Sequence, residues 1–314
     1  MFDNEMFQRY LAFVEERHTV WEERQVGAPA PWTSDAILAS RKFTNVFRVL
    51  DPGSQFIFDL AQDRTPFDHP IDSVFEATPE DFLLRCFLYR HTGRVEAWRH
   101  LHFELDCWPT HDNLADVLKV WKEYREAGNP IFTGAYLVYP QSHVPGSDKL
   151  EAIVDLTDRL FNGGGTSQQF LRAKTQEDRF SILRRNKGVA DFMSMQILTD
   201  WGYGPYAAVD RENEFVVPGP GCRKGVAHVT DTRDVVGFLR FAQAEVHASP
   251  DCPTLDLDSG PRQPSLMDIQ NTWCEFGKYV RYLKAYKVSP PYTPAHPGKQ
   301  EPPVLPAHWS ATTR

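Results

Sequence analysis

Polar side chains recur at helical spacing in one apolar segment near the C-terminal end of the chain. In SLMDIQNTWCEFGKYVRYLKAY, Asp268, Asn271, Glu275 and Lys278 stand three or four residues apart and therefore share one helical face. Carboxylates and an amine beside aromatic bulk would have shifted pKa values if buried, which suits acid–base catalysis. These four are candidate catalytic residues, although the same spacing is typical of a solvated face with ion pairs.

A second group of candidates lies in RKFTNVFRVLDPGSQ, residues 41–55, where Lys42, Asn45 and Arg48 supply two cations and an amide. Arg90 and Gln196, in two later helical segments, add a third cation and a second amide. Residues 172–187 hold six Lys or Arg against two acids, so a locally basic surface is expected. Basic helical faces are usually just solvated, and each of these candidates is weak when taken singly.

The segment FVVPGPGCRKGV, residues 215–226, fits the apolar-Pro-Gly-apolar-Gly-x-x-x-small pattern of helix-hairpin-helix modules. We expect Gly219 and Gly221 to adopt positive φ in a tight turn between helices. The N–H groups that begin the next helix could then bind a phosphate oxygen, with Arg223 and Lys224 adding positive charge. The four residues are therefore candidates for DNA binding, and the alternative is that the prolines and glycines merely form a loop.

Helices must position all of these groups, and the fold class is predicted to be mostly α. Helical patterns cover residues 5–24, 33–50, 78–92, 111–127, 147–161, 167–186, 189–198, 231–247 and 267–286. Asp51-Pro52-Gly53 is predicted to be a turn, and 132–139 could be a strand or an apolar helix. We predict a single helical domain over 1–287, or two helical lobes with the hairpin at 215–226. Residues 288–314 contain seven prolines and are predicted to form an extended tail.

Composition bounds the functions open to the chain. Its 314 residues carry 34 Lys or Arg against 42 Asp or Glu, a formal net charge of −8, which excludes a uniformly basic nucleic-acid coat. There is no apolar run of membrane-spanning length and no signal-peptide pattern at the N-terminus. The five cysteines are widely spaced and odd in number, as expected of reduced thiols. We therefore expect a cytoplasmic protein.

Several segments together resemble one family. They are PWTSDAILASRKFTNVFRVLDPGSQ, LLRCFLYRHTGRVEAW, VADFMSMQILTDWGYG, EFVVPGPGCRKGV and DIQNTWCEFGKYVRY. They are similar to the phage-associated alpha-glutamyl/putrescinyl thymine pyrophosphorylases and amino acid:DNA transferases, which overlap with the helical domain family named after the 5-hydroxymethyluracil DNA kinase. The resemblance spans about residues 30 to 285 and implies a helical fold distantly like the helix-hairpin-helix DNA glycosylases.

The reaction implied by the resemblance replaces the pyrophosphate of 5-(pyrophosphoryloxymethyl)uracil in DNA with an amine. Lys42, Arg48 or Arg90 would neutralise the leaving diphosphate, and Asp268 or Glu275 would take the proton of the incoming ammonium. Lys278 would hold the leaving group or an amino-acid carboxylate, and Gln196 and Asn45 would read the uracil edge. The nucleotide would be flipped out and stacked on an aromatic side chain, with three candidates: Trp201, Tyr203 and Trp273.

The implied partners are DNA carrying the pyrophosphorylated base, a free amino acid or putrescine, and a 5-hydroxymethyluracil DNA kinase. No membrane partner is expected, and the location would be the host cytoplasm if the chain is phage-encoded. No cofactor is identified and no residues have metal-ligand spacing, which leaves room for a divalent cation or a monovalent cation at the hairpin.

Two alternatives stay open at this point. One is a helix-hairpin-helix DNA glycosylase, but the catalytic Asp expected about twenty residues past the second glycine is replaced by the apolar stretch Gly237-Phe238-Leu239. The other is a non-catalytic DNA-binding partner of a kinase. The chain contains no GxxxxGK[ST] loop of its own, so it is not itself predicted to be a P-loop kinase.

Overall fold

Helices form nearly all of the regular structure in the computed structural model, which describes residues 2–61, 77–133, 148–163, 165–207, 209–284 and 300–310. In chain order the helices are α1 (Asn4–Gln25), α2 (Ala36–Ser40), α3 (Pro52–Ala61), α4 (Pro79–Thr92), α5 (Val95–Leu105), α6 (Leu114–Glu126), α7 (Lys149–Phe161), α8 (Gly165–Arg172), α9 (Gln176–Arg184), α10 (Asp191–Tyr203), α11 (Pro220–Val226), α12 (Val235–Ala248), α13 (Leu266–Leu283) and α14 (Ala307–Ser310). Two short strands, β1 (Leu255–Leu257) and β2 (Gly260–Arg262), pair antiparallel with Leu255 opposite Arg262. The prediction of a mostly α fold is confirmed.

The contacts within the chain define two units. One, the terminal unit, comprises Met1–Asp51 and Arg211–Arg314, and the other, the central unit, comprises Pro52–Asp210. The terminal unit contains the candidate residues of α13 and the hairpin, while the central unit contains Arg90 and Gln196. The domain boundary predicted at 287/288 lies outside the described residues and stays a prediction.

The core of the central unit is built on α4, whose residues 82–92 are all buried. Local sequence fixes both ends of this helix, as predicted. The Thr78 side chain accepts the N–H of Asp81, Pro79 occupies the first turn, and Gly93 ends the helix at φ 71°. Helix α10 packs against α4 and is buried from Met193 to Trp201. The helix predicted over 189–198 is therefore confirmed, and it is buried.

The core of the terminal unit is built on α13. The helix begins at Ser265 in a capping box, in which the Ser265 side chain accepts the N–H of Asp268 and the Asp268 side chain accepts the N–H of Ser265. Trp273 is fully buried and stacks on Tyr10 of α1, with ring centroids 3.8 Å apart. Helix α11 makes the most extensive contact with α13, and α12 packs on it as well.

The segment that follows α2 differs from its prediction. The pattern predicts one helix over 33–50, but α2 ends at Ser40, residues 41–47 are not helical, and 48–50 form a single 3₁₀ turn. Asp35 caps α2. The helix breaks because Thr44 donates its N–H to Glu275 and accepts from Arg17 at its carbonyl, so its backbone groups bond to distant side chains.

Four other segments differ from their predicted structure or lie partly outside the described residues. The predicted turn at Asp51-Pro52-Gly53 is the start of α3, with Pro52 as its first residue. The helix predicted over 167–186 is two helices, because the Thr175 side chain caps α9. The strand or helix predicted over 132–139 lies outside the described residues from 134 onward. In the predicted tail, residues 300–306 have no regular secondary structure and α14 follows them.

Candidate functional site

The polar face of α13 holds the backbone of the segment that follows α2. Glu275 Oε2 accepts the N–H of Thr44 at 3.0 Å and a hydrogen bond from Lys278 Nζ at 3.0 Å. Asn271 Nδ2 donates to Thr44 Oγ1 at 3.0 Å. Two groups of candidates that are far apart in sequence, one from α13 and one from residues 42–48, therefore meet in the terminal unit.

Asp268 occupies the closed end of this arrangement. Its Oδ2 accepts the N–H and the hydroxyl of Ser265 at 2.9 and 2.8 Å, and its Oδ1 accepts the N–H of Arg48 at 2.8 Å. Burial raises the pKa of Asp268, while these hydrogen bonds oppose the shift. The carboxylate is 2% exposed, so its visible role is to fasten the start of α13 to Arg48.

Arg17 of α1 and Asp51 complete the arrangement, and the candidate list above lacks both. Arg17 donates from Nη2 to Asn45 Oδ1 at 2.6 Å, and Asp51 Oδ1 accepts the N–H of Asn45 at 2.8 Å. Burial lowers the pKa of Arg17 to about 10 and raises that of Asp51 to about 6. The signal for Arg17 was present in the pattern, since a charged residue three positions after Val14 falls on the apolar face of α1.

The solvent side of the arrangement is formed by Glu275 and Lys278, and Lys42 precedes Thr44 by two positions. The side chains of Glu275 and Lys278 are 13% and 27% exposed, and Lys42 is exposed. Lys278 Nζ also lies 4.7 Å from the ring centre of Phe43. We call these residues, together with Thr44, Asn45, Arg48, Asn271, Asp268, Arg17 and Asp51, the α13 cluster. The cluster offers a partly exposed carboxylate beside an ammonium group, on a rigid helical support.

Arg90 and Gln196 belong to the central unit. Arg90 donates from Nε and Nη2 to the two carboxylate oxygens of Asp200, which is fully buried. Gln196 precedes Asp200 by one turn of α10 and is 9% exposed. The structure therefore places Arg90 in a buried ion pair, and the proposed contacts of both residues with pyrophosphate or base stay predictions.

The hairpin residues are explained by helix packing rather than by positive φ. Gly219 precedes α11 at φ −71°, and Gly221 is not among the glycines with positive φ, so that expectation is wrong. A Cβ on Gly221 would lie 2.3 Å from Cys274 Sγ, and one on Gly225 would lie 1.9 Å from the carbonyl oxygen of Trp273. The small residues therefore let α11 approach α13 closely. Residues 209–219, before α11, contain no helix, so the described part of the hairpin has a helix on one side only.

The remaining predicted side chains separate into exposed and buried groups. Arg223 and Lys224 are exposed, as a phosphate contact requires. The aromatic residues expected to stack on a flipped base are at most 2% exposed: Trp201, Tyr203 and Trp273. That expectation is wrong in this structure, because each ring is enclosed in the core and presents no face to a base.

The described residues also bear on metal binding and membrane insertion. No three His, Cys, Asp or Glu side chains of this part of the chain gather as a metal site would require. None of its helices is long and apolar enough to cross a membrane.

The fold and the α13 cluster lie within one family match. Residues 4–288 match the family model of the 5-hmdU DNA kinase, helical domain, and the chain belongs to that family. Among curated proteins, a 5-hmdU DNA kinase of Bacillus phage SP10 is 24% identical over 88% of this chain. The match covers 45% of that relative, so the chain spans less than half of the relative's length. No solved structure shows a significant match.

Proposed function

We propose that this chain takes part in the hypermodification of thymine in DNA, replacing the pyrophosphate of 5-(pyrophosphoryloxymethyl)uracil with an amine. Membership of the 5-hmdU DNA kinase helical family and the relative named as a 5-hmdU DNA kinase support a role in this chemistry. The observation that carries the transfer step is the partly exposed Glu275 carboxylate beside Lys278, fixed by the N–H of Thr44.

The reaction forms one bond and breaks one bond at the 5-methylene carbon. The incoming amine is an ammonium ion at neutral pH, so a base first takes one of its protons. The freed lone pair of the nitrogen then attacks that carbon, and the carbon–oxygen bond breaks with its electron pair leaving on pyrophosphate. The protein therefore has to supply a base and positive charge for the leaving group.

Glu275 fits the role of base better than Asp268. Thr44 N–H and Lys278 Nζ both bond to Oε2 of Glu275, which leaves Oε1 for a substrate proton. Asp268 has both oxygens engaged by Ser265 and Arg48 and is enclosed. Asn271 orients the segment around Thr44, and its role is positioning.

Positive charge for the pyrophosphate comes from Lys42 and Lys278, with Arg48 contributing from a buried position. The target base has to leave the helix so that base, amine and pyrophosphate can meet in one site. Arg223 and Lys224 in the last turn of α11 are proposed to hold the DNA backbone while it does so.

The proposal is tested by product analysis. The chain is incubated with DNA that contains the pyrophosphorylated base and with an amino acid or putrescine. The DNA is then digested to nucleosides, which are identified by mass spectrometry. We expect an aminated nucleoside and stoichiometric pyrophosphate. An abasic site in place of the aminated nucleoside would overturn the transfer proposal and favour a glycosylase.

A second candidate function is a DNA-binding partner of a kinase, and one observation favours it. The relative named as a kinase is more than twice as long as the matched region, and this chain has no GxxxxGK[ST] loop. Under this candidate, Lys278→Ala and Glu275→Gln would leave the modification of a reconstituted pathway intact. Under the transfer proposal, both changes would strongly slow formation of the aminated nucleoside.

A further inference from the structure

Cations collect on two contacting helices of the terminal unit, α11 and the C-terminal half of α13. Residues 215–230, which include α11, contain Arg223 and Lys224 and no Asp or Glu. Residues 276–284, the C-terminal half of α13, contain Lys278, Arg281 and Lys284 and again no Asp or Glu. In a chain with a net charge of −8, two adjoining segments with only positive charge form a marked local exception.

The packing of α11 on α13 places these two segments side by side. Gly221 lies against Cys274, and Gly225 lies against Trp273 and Gly277, so α11 packs over residues 273–277 of α13. Arg281 is one helical turn beyond Gly277, so this cation follows directly after the contact. His228, just after α11, lies near Lys284. Burial, and then the positive charge of Lys284, lower its pKa.

Four of these cations face solvent: Arg223, Lys224, Arg281 and Lys284. We call them the cationic ridge. One end of the ridge is held in place, since Arg223 Nε donates to the carbonyl of Pro218 at 3.0 Å. We propose that the cationic ridge binds the phosphate backbone of duplex DNA, with Arg281 and Lys284 extending the contact made by the hairpin. This inference rests on the proposed function, which makes DNA the substrate.

A rigid polyanion fits this surface for a physical reason. Several cations in fixed positions release several counterions when they meet DNA phosphates, and each phosphate neutralised contributes about −0.9 to the slope of log K against log salt. The ridge would give affinity and orientation without sequence preference, because backbone contacts read no bases. Base choice would then be left to the α13 cluster.

The test compares two double variants by fluorescence anisotropy with an unmodified duplex over a salt series. Arg281→Gln with Lys284→Gln removes half of the ridge. Arg99→Gln with Lys119→Gln removes two exposed cations of the central unit and is the matched control. We expect the ridge variant to bind more weakly and its salt slope to fall by about 1.8, while the control keeps the wild-type slope. Arg281→Lys should restore most of the binding, and thermal unfolding should show that each variant is folded.

Two results would overturn the proposal that the ridge binds DNA. One is a wild-type salt slope in the folded ridge variant, and the other is an equal loss of DNA affinity in the control variant. A wild type that binds no duplex would overturn it as well. Binding to unmodified DNA needs no transfer chemistry, so the two proposals can fail separately. If the ridge variant binds like the wild type and the wild type forms the aminated product, only the ridge proposal is rejected. If the ridge variant binds weakly and the wild type forms no aminated product, only the transfer proposal is rejected.

Discussion

The central and terminal units both bury charged side chains in helical cores, and they satisfy those charges in different ways. In the central unit, Arg90 and Asp200 form a closed pair, in which both carboxylate oxygens accept from the guanidinium. In the terminal unit, Glu275 and Asp268 accept backbone N–H groups from a segment that is far away in sequence. A closed pair uses both charges for structure, whereas a carboxylate fixed through one oxygen keeps the other available.

The spacing of a charged residue in an apolar helix does not by itself reveal the function of that residue. Arg90 and Glu275 both stand in helices rich in aromatic residues, and both were reasonable candidates for chemistry. Their partners decide the difference.

The largest effect is expected for Glu275→Gln. The amide oxygen of Gln can still accept the N–H of Thr44, so the fold should survive, but the amide cannot take a proton. We expect the rate of aminated nucleoside formation to fall by about 10²–10⁴-fold, the usual contribution of a general base. The control is Glu245→Gln, an exposed residue of α12, which should leave the rate unchanged. A rate for Glu275→Gln within a few-fold of the wild type would place the base elsewhere.

The next effect concerns the closed pair. Asp200→Ala leaves the Arg90 guanidinium buried without its carboxylate, so we expect the free energy of unfolding to fall by about 3–5 kcal/mol in a urea titration. The double variant Arg90→Met with Asp200→Leu should recover most of that loss, because an apolar pair of similar volume replaces both charges. If the double variant also keeps the transfer rate, Arg90 serves the fold and not the pyrophosphate. A single variant as stable as the wild type would contradict the buried pair.

A smaller effect is expected where α11 meets α13. Gly225→Ala places a methyl group 1.9 Å from the carbonyl oxygen of Trp273, so the helices must separate, at a cost of about 1–3 kcal/mol in unfolding free energy. The matched change in the central unit is Gly202→Ala on α10, where nothing lies within 4 Å. That change should stabilise the protein by about 0.5–1 kcal/mol through helix propensity. Equal effects at the two glycines, measured by thermal unfolding, would show that the close approach is not required.

Much of the fold could be predicted because the deciding signals are local. Thr78 and Gly93 stand at the ends of α4 itself, and the apolar pattern of α10 is continuous. The break after α2 could not be predicted in this way. Thr44 donates its N–H to Glu275, 231 positions later, and no nearby residue indicates that partner.

The candidate site shows the same division. The spacing on α13 was enough to place Asn271, Glu275 and Lys278 on one face. It could not show that both carboxylate oxygens of Asp268 accept hydrogen bonds, one from the Arg48 backbone and the other from the helix cap at Ser265. Nor could it show that Arg90 is paired with a residue 110 positions away. Pattern reveals which side chains share a face, and only the fold reveals which of them are already engaged.

The last prediction asks whether the α13 cluster carries a buried carboxyl group that responds to pH. Asp51 has a pKa raised from 3.8 to about 6, chiefly by burial, so it binds its proton more tightly in the folded protein than in the unfolded chain. Its protonation therefore stabilises the fold fully below about pH 4, and that contribution is lost as the pH rises through 6. Asp51→Asn cannot titrate, yet its side-chain oxygen can still accept the N–H of Asn45. In urea titrations, the unfolding free energy of Asp51→Asn minus that of the wild type should rise between about pH 4 and 6. The rise should total about 1–3 kcal/mol, and the difference should be constant above that range. A difference between the two proteins that does not change with pH would mean that water reaches Asp51 as freely in the folded protein as in the unfolded chain.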